Sequence, residues 1–179
     1  MQMPNCHFPE LVTSRFFLKQ FQNKDVENVF KGLSNPKVIK YYGVSFSSLE
    51  ATKEQMQWYH NLEKTTTGIW WAICDEQSGF YGAIGLSDIN KERKSAEIGF
   101  WLLPKYWGKG IIKECMPEVL KYSFQKRGLF IIEAFVETEN LNCYKVLKKM
   151  DFDYEKTIIN AEIKNGKTIN IAVFSKTNN

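Results

Sequence analysis

The chain is 179 residues long, with 44% apolar, 15% aromatic and 25% charged residues. That is globular composition, and it excludes disordered and collagen-like classes. A net charge of +4 and a pI near 8.8, spread along the chain, speak against a nucleic-acid partner and suit a small polyanionic ligand.

No repeat, linker or composition break divides the sequence, so residues 1–179 read as a single domain. Residues 14–19 read as a strand. Asn23 is a candidate cap for a helix with the apolar stripe Val26, Val29, Phe30 and Leu33. Asn35 and Pro36 start a short helix that runs to Tyr41. Ser47 and Glu50 have capping-box spacing, and the helix that follows runs to about Lys64 with Leu49, Met56, Tyr59 and His60 on one stripe.

Three strands come next, over 69–74, 80–87 and 96–103. A turn at 76–79 and a polar loop at 90–94 separate them. Gly82 and Gly85 inside the middle strand mark a bulge or a close approach. Pro104 ends the third strand. A helix over 110–126 contains Pro117, which should kink it or delay its start. A buried strand over 130–136, a helix over 141–150 and a hairpin of strands 152–163 and 168–175 complete the chain. Asn165–Gly166 is the hairpin's type I′ turn signal. The expectation is a mixed α/β fold: one central twisted sheet of about six to seven strands with helices on both faces.

The longest apolar run, residues 129–132, is stopped by Glu133. A membrane helix needs about 20 residues, so no membrane partner is expected. The first residues, MQMPNCHFPELVTSRF, show neither the basic nor the apolar region of a signal peptide. A cytoplasmic location with free thiols follows for the four widely spaced cysteines, Cys6, Cys74, Cys115 and Cys143. His7 and His60 are the only histidines, and the Cys6–His7 pair lacks further ligands, so no metal site is expected.

The informative stretch is AEIGFWLLPKYWGKGII, from Ala96 to Ile112. An apolar strand enters a glycine-containing loop that opens a helix. Gly108 and Gly110 let a ligand approach the backbone. The unpaired first N–H groups of the helix lie at the positive end of its dipole. With Lys105, Lys109 and Lys113 nearby, the loop suits a pyrophosphate. It is neither a P-loop, which needs GxxxxGK followed by Ser or Thr, nor a dinucleotide fingerprint, which needs a third glycine.

The order strand, KYWGKG, helix, strand, NxxCxxxLxxxDF resembles the GNAT superfamily of acetyl-CoA-dependent N-acetyltransferases. Within it the phrases AEIGFWLLPKYWGKG and VETENLNCYKVLKKMDF look most like the ribosomal-protein N-terminal acetyltransferase subgroup. The family loop begins with Gln or Arg, where this chain has Lys105. The likeness extends from Ser14 to Lys176.

The resemblance implies acetyl-CoA as co-substrate and no metal. It implies cofactor contacts at Leu102, Leu103, Lys105, Trp107, Gly108, Lys109, Gly110, Ile111, Ile112, Asn140 and Cys143. The strand before the loop should carry a bulge and splay from its neighbour, with a backbone N–H near Leu103 as oxyanion donor. Asn140 matches the family's pantetheine contact and is also a natural helix cap. Cys143 stands where the subgroup has a serine that steadies the leaving thiolate. The tyrosine other members use would fall at Leu147. Glu162 and Glu97 compete for general base, with Glu162 slightly favoured and Glu97 as a water-positioning partner.

Tyr41, Tyr42, Trp58, Trp70 and Trp71 are candidate acceptor-site walls. Lys145, Lys148 and Lys149 read as a solvated helix face that can also reach the cofactor's 3′-phosphate. Asp151 replaces a family glycine and must tolerate a left-handed backbone. The acceptor implied is a primary amine, foremost a protein N-terminus. A small amine (polyamine, amino acid or aminoglycoside) and a non-catalytic CoA-binding module are the rivals. Terminal edge strands allow a homodimer.

Overall fold

A computed structural model describes residues 8–178, so Cys6 and His7 fall outside it. The elements are β1 (Leu11–Val12), β2 (Phe17–Lys19), α1 (Val26–Leu33), α2 (Pro36–Ile39), α3 (Leu49–Thr65), β3 (Ile69–Cys74), β4 (Phe80–Asn90), β5 (Ser95–Leu102), α4 (Ile111–Gln125), β6 (Ile131–Glu137), α5 (Leu141–Lys149), β7 (Asp153–Lys164) and β8 (Lys167–Thr177). They form one eight-stranded sheet in the order β1-β2-β3-β4-β5-β6-β8-β7. The added strand is the two-residue β1, paired antiparallel with β2. The strand expected over 14–19 begins only at Phe17, because Thr13 and Phe16 close a turn with their backbones.

Adjacent residues of a strand face opposite sides, and the core divides accordingly. Trp71, Ile73, Ile84, Leu86, Ile98 and Leu102 pack beneath α4 and α5. Trp70, Ala72, Ala83, Trp101 and Leu103 pack against α1, α2 and Tyr59 of α3. The glycine signal in β4 is a close approach by a ring. A Cβ on Gly85 would meet Trp70 Cγ at 2.3 Å, and one on Gly99 of β5 would meet Trp70 Cη2 at 2.8 Å. The indole lies across both strands where side chains are absent.

Several caps differ from the sequence reading. Gln22 and Asp25 form the box before α1, with Asp25 Oδ2 accepting from Gln22 N at 2.8 Å, and Asn23 lies inside a 3-10 turn. Ser48, not Ser47, caps α3, its hydroxyl accepting from Ala51 N. The buried face of α3 is Thr52, Gln55 and Tyr59, whereas Leu49 is 39% exposed. Pro117 sits within a continuous α4 on its exposed side, where the lost backbone bond meets water. Asp151 adopts φ 56° at the end of α5. There Phe152 N donates to Leu147 O and Asp151 N to Lys148 O, the two bonds of a Schellman motif. Asn165 and Gly166 both have positive φ, as a type I′ turn requires.

Among the described residues no helix is long and apolar enough to cross a membrane.

Candidate active site

The sheet opens beside β5. β5 and β6 run parallel but pair only at Ser95, Ala96 and Glu97, opposite Ile131, Ile132 and Glu133. Beyond Glu97 the β6-facing edge of β5 has no partner strand. On its other edge β5 stays in regular register with β4, from Ser87↔Glu97 to Gly82↔Leu102. The expected bulge is therefore absent from β5; the ladder's irregularity lies at Ser87/Asn90 in β4.

This register decides which backbone groups near Leu103 are free. Leu103 N donates to Tyr81 O at 2.9 Å, so its N–H is spent on the ladder. Antiparallel pairing alternates the direction of backbone groups, which turns the groups of Ile98, Phe100 and Leu102 toward the open edge. The Leu102 carbonyl accepts from Trp107 Nε1 at 2.8 Å. That bond folds the half-exposed Trp107 back onto the strand end.

The glycine loop follows. Gly108 and Gly110 have φ 75° and 73°, left-handed values that cost a side chain dearly. A Cβ on either would meet nothing within 4 Å. Open space thus lies over both residues, and Gly110 is the N-cap of α4. Lys105 and Lys109 are exposed, and their Nζ atoms lie 4.7 and 5.5 Å from the centroid of the Tyr106 ring. The Ile111 and Ile112 side chains are buried in the core, so these residues can offer a ligand only backbone groups.

Across the opening, Asn140 caps α5, with Oδ1 accepting from Cys143 N at 3.2 Å. Its cap role uses the carbonyl oxygen and leaves the amide nitrogen for a ligand. Cys143 is half-buried, and burial pushes its thiol up to about 12. Leu147 is fully buried core. The Tyr144 ring packs edge-on against Phe174.

Glu97 closes the seam. Burial first, then Asp88, Glu133 and Glu162, raises its carboxyl to about 7. Glu162 is exposed on β7, near enough to add to that field. Tyr42 also faces this point; burial, then Tyr59 and Glu97, pushes its phenol well up. The hairpin is tied to the same corner, since Lys164 Nζ donates to Glu137 Oε1 at 2.6 Å and to Lys40 O at 2.8 Å.

The candidate walls divide. Tyr42 is brought to Glu97, and Trp58 lies edge-on to Trp70. Trp71 is core, with Nε1 donating to Pro9 O at 2.7 Å. Lys145, Lys148 and Lys149 are exposed on α5.

Sequence reasoning missed the residues that brace the loop. Glu114 of α4 accepts from Thr13 Oγ1 (2.7 Å), Ser14 Oγ (3.0 Å), Arg15 N (2.9 Å) and Arg15 Nε (2.6 Å). Arg15 Nη2 donates to Lys109 O at 3.3 Å. Only a one-turn helix signal at Glu114 was available, because its partners lie some hundred residues away. Among the described residues no cluster of His, Cys, Asp and Glu could hold a metal ion.

A sheet open along β5 beside a glycine loop at a helix start can receive a phosphate-bearing ligand, and comparison with known proteins gives the class. The acetyltransferase (GNAT) domain family matches residues 15–153. The N-acetyltransferase YoaA of Bacillus subtilis (strain 168), itself uncharacterized, is 32% identical over 170 residues, covering 94% of this chain and 96% of its own. Two solved structures share the fold. RimL, a ribosomal L7/L12 alpha-N-protein acetyltransferase holding coenzyme A in a disulfide with one of its cysteines, superposes with a TM-score of 0.84 at 18% identity, over 93% of this chain and 96% of its own. The spermidine N-acetyltransferase of Vibrio cholerae, in complex with CoA and spermine, gives 0.82 at 21%, over 92% and 96%. The chain belongs to the GNAT family and is an acetyl-CoA-dependent N-acetyltransferase.

Proposed function

We propose that this enzyme acetylates the α-amine of a protein N-terminus by direct attack in a ternary complex, with Glu97 as general base. The observation that carries the reading is the Glu97 carboxyl, raised to about 7 where the β5/β6 pairing ends. A base works best when its pKa lies near the operating pH. We assign that role to Glu97 rather than Glu162, which is exposed and acts through its charge on Glu97. Among the backbone N–H groups near Leu103, that of Leu102 takes the oxyanion role, because the Leu103 N–H serves the ladder. The open space over Gly108 and Gly110 fits the pyrophosphate of the co-substrate.

A second reading has its own observation. Asp88, Glu97, Glu133 and Glu162 share one field, with Arg93 at 3.9 Å from Glu133. Such a surface also suits a polyamine, the class named for the Vibrio cholerae enzyme. Release of CoA thiol, measured with short peptides bearing free N-termini and with spermidine, separates the readings. Turnover of peptides with spermidine inert supports the first. Turnover of spermidine alone moves the assignment to the second. CoA binding without turnover of any amine leaves a non-catalytic module.

The CoA–cysteine disulfide of RimL motivates a parallel test at Cys143. Treating the protein with oxidised CoA disulfide exchanges one CoA thiol for the Cys143 thiol, with no net oxidation. A CoA adduct at Cys143 by mass spectrometry places the thioester end of the co-substrate there; no adduct removes Cys143 from the site.

A further inference from the structure

The bonds around Arg15 form a device that the transfer chemistry does not itself use. Glu114 projects from the first turn of α4 and takes four hydrogen bonds from residues 13–15 in the β1–β2 turn. Burial alone would raise its carboxyl, but those bonds from Thr13, Arg15 and Ser14 hold it at about 2. The carboxylate is therefore charged at any physiological pH, and the turn is fixed to the helix start. Arg15, anchored by its Nε, then extends Nη2 to the carbonyl of Lys109. Lys109 stands between the two left-handed glycines.

The consequence is directional. In a trans peptide the carbonyl of one residue and the N–H of the next point opposite ways, and the chain has no cis peptide bonds among the described residues. Drawing the Lys109 carbonyl toward Arg15 turns the Gly110 N–H away from it. Gly110 has no side chain to shield that N–H, and a Cβ there would meet only open space. We propose that Arg15 is a positioning residue for acetyl-CoA. Held by Glu114, it fixes the Lys109–Gly110 peptide so that the Gly110 N–H is already aimed at the pyrophosphate before the ligand arrives. A preset donor spares the ligand the cost of ordering the loop.

Arg15 is suited to this by shape as well as charge. Its fork can serve a carboxylate and a carbonyl at once, whereas a lysine ammonium cannot span both in fixed geometry. The inference rests on the reading of Gly108 and Gly110 as the phosphate loop, so the experiment tests the two separately.

Acetyl-CoA is titrated calorimetrically into the wild-type protein and into Gly108→Glu/Gly110→Glu, Arg15→Ala, Arg15→Lys and Glu114→Gln, with Tm recorded for each. The glycine double variant should abolish binding. Arg15→Ala should raise Kd about fivefold to twentyfold with Tm little changed. Arg15→Lys should recover only part of that loss, and Glu114→Gln should lie between wild type and Arg15→Ala. Binding that survives in the glycine variant overturns the loop reading itself. Glycine-variant loss with wild-type affinity in Arg15→Ala overturns the positioning role alone. Full recovery by Arg15→Lys shows a charge effect and also overturns it. Should Arg15→Ala not fold, the Kd of Glu114→Gln decides: unchanged affinity rejects the proposal.

Discussion

Glu97 gains its chemistry from neighbours that the sheet brings to it, and two measurements follow from its raised carboxyl. As a base it acts when deprotonated, so kcat/KM should rise with pH through about 7. An α-amine near pKa 8 is about 10% neutral at pH 7, a penalty of only about 1.4 kcal/mol. Glu97→Gln should therefore cost about 100-fold, the low end for general bases, and leave below pH 7 only the gentler rise that follows the amine's own deprotonation near 8. A variant profile as steep below pH 7 as that of the wild type rejects the assignment. The same residue also sets a stability slope. Its folded-state pKa lies above the unfolded value, so the native state holds the proton more tightly. Stability is full below the ordinary carboxyl range and falls as pH rises to about 7, by about 3 kcal/mol at most. Glu97→Gln should then be more stable than wild type at pH 8 and equal to it near pH 4, measured by chemical denaturation. Cys143 leads to a different expectation. A thiol pushed up by burial to about 12 is a weaker acid than an ordinary thiol, so proton transfer from it to a departing CoA thiolate runs uphill. Its hydrogen bond can steady the thiolate without giving up the proton. Cys143→Ser should keep kcat within about threefold, and Cys143→Ala should lose no more than about tenfold. A loss of a thousandfold in the alanine variant would restore a true acid role.

At the scale of elements, α5 shows how a departure from the family pattern is absorbed. Asp151 occupies the left-handed position that closes its Schellman motif, at φ 56° and fully exposed. Its carboxylate gains little, being 3.9 Å from Lys176 Nζ and 90% exposed. Asp151→Gly should stabilise the protein by about 1 kcal/mol, read from the denaturation midpoint, because glycine enters this conformation without the steric cost. An unchanged or lowered midpoint would show that the ion pair outweighs the strain. Strand β3 and the terminal hairpin were legible in the sequence because their signals are local: an unbroken apolar run and an Asn-Gly turn. Caps were less so. Ser47 satisfies capping-box spacing with Glu50, yet the chain turns into α3 one residue later, at Ser48. Strand β1 escaped notice because a two-residue ladder carries no periodicity. The openness over Gly108 and Gly110 could be read from the missing side chains, whereas their left-handed φ could not. Glu97 could not be ranked above Glu162, because Asp88, Glu133 and Glu162 meet it only through strand register. Arg15 was hidden for the same reason: its partners Glu114 and Lys109 come from a distant helix start.

Across the whole molecule, the sheet is continuous but its seam is short. Strands β1 to β5 and strands β6 to β8 are joined by pairing at Ser95, Ala96 and Glu97 alone. Beneath that seam one core runs unbroken, from Trp71 and Ile84 through Met116 and Val119 of α4 to Ile132 and Phe174. The two halves are thus welded on the α4 face and open along the β5 edge. A ligand lying in that opening contacts both halves and binds only the folded chain. At about 100 times its Kd, acetyl-CoA should add about 2.7 kcal/mol of stability, which for a chain of this size raises Tm by about 5–10 °C. Heating alone does not say where the ligand lies, but two adjacent amides do. Leu103 N–H is already bonded to Tyr81 and should exchange slowly with or without acetyl-CoA. Leu102 N–H faces the open edge and should exchange quickly until acetyl-CoA is added, then become protected. A rise in Tm with Leu102 still fast in hydrogen exchange would place the co-substrate away from this edge. Protection at Leu102 alone would show the pantetheine arm taking the place that β6 leaves vacant.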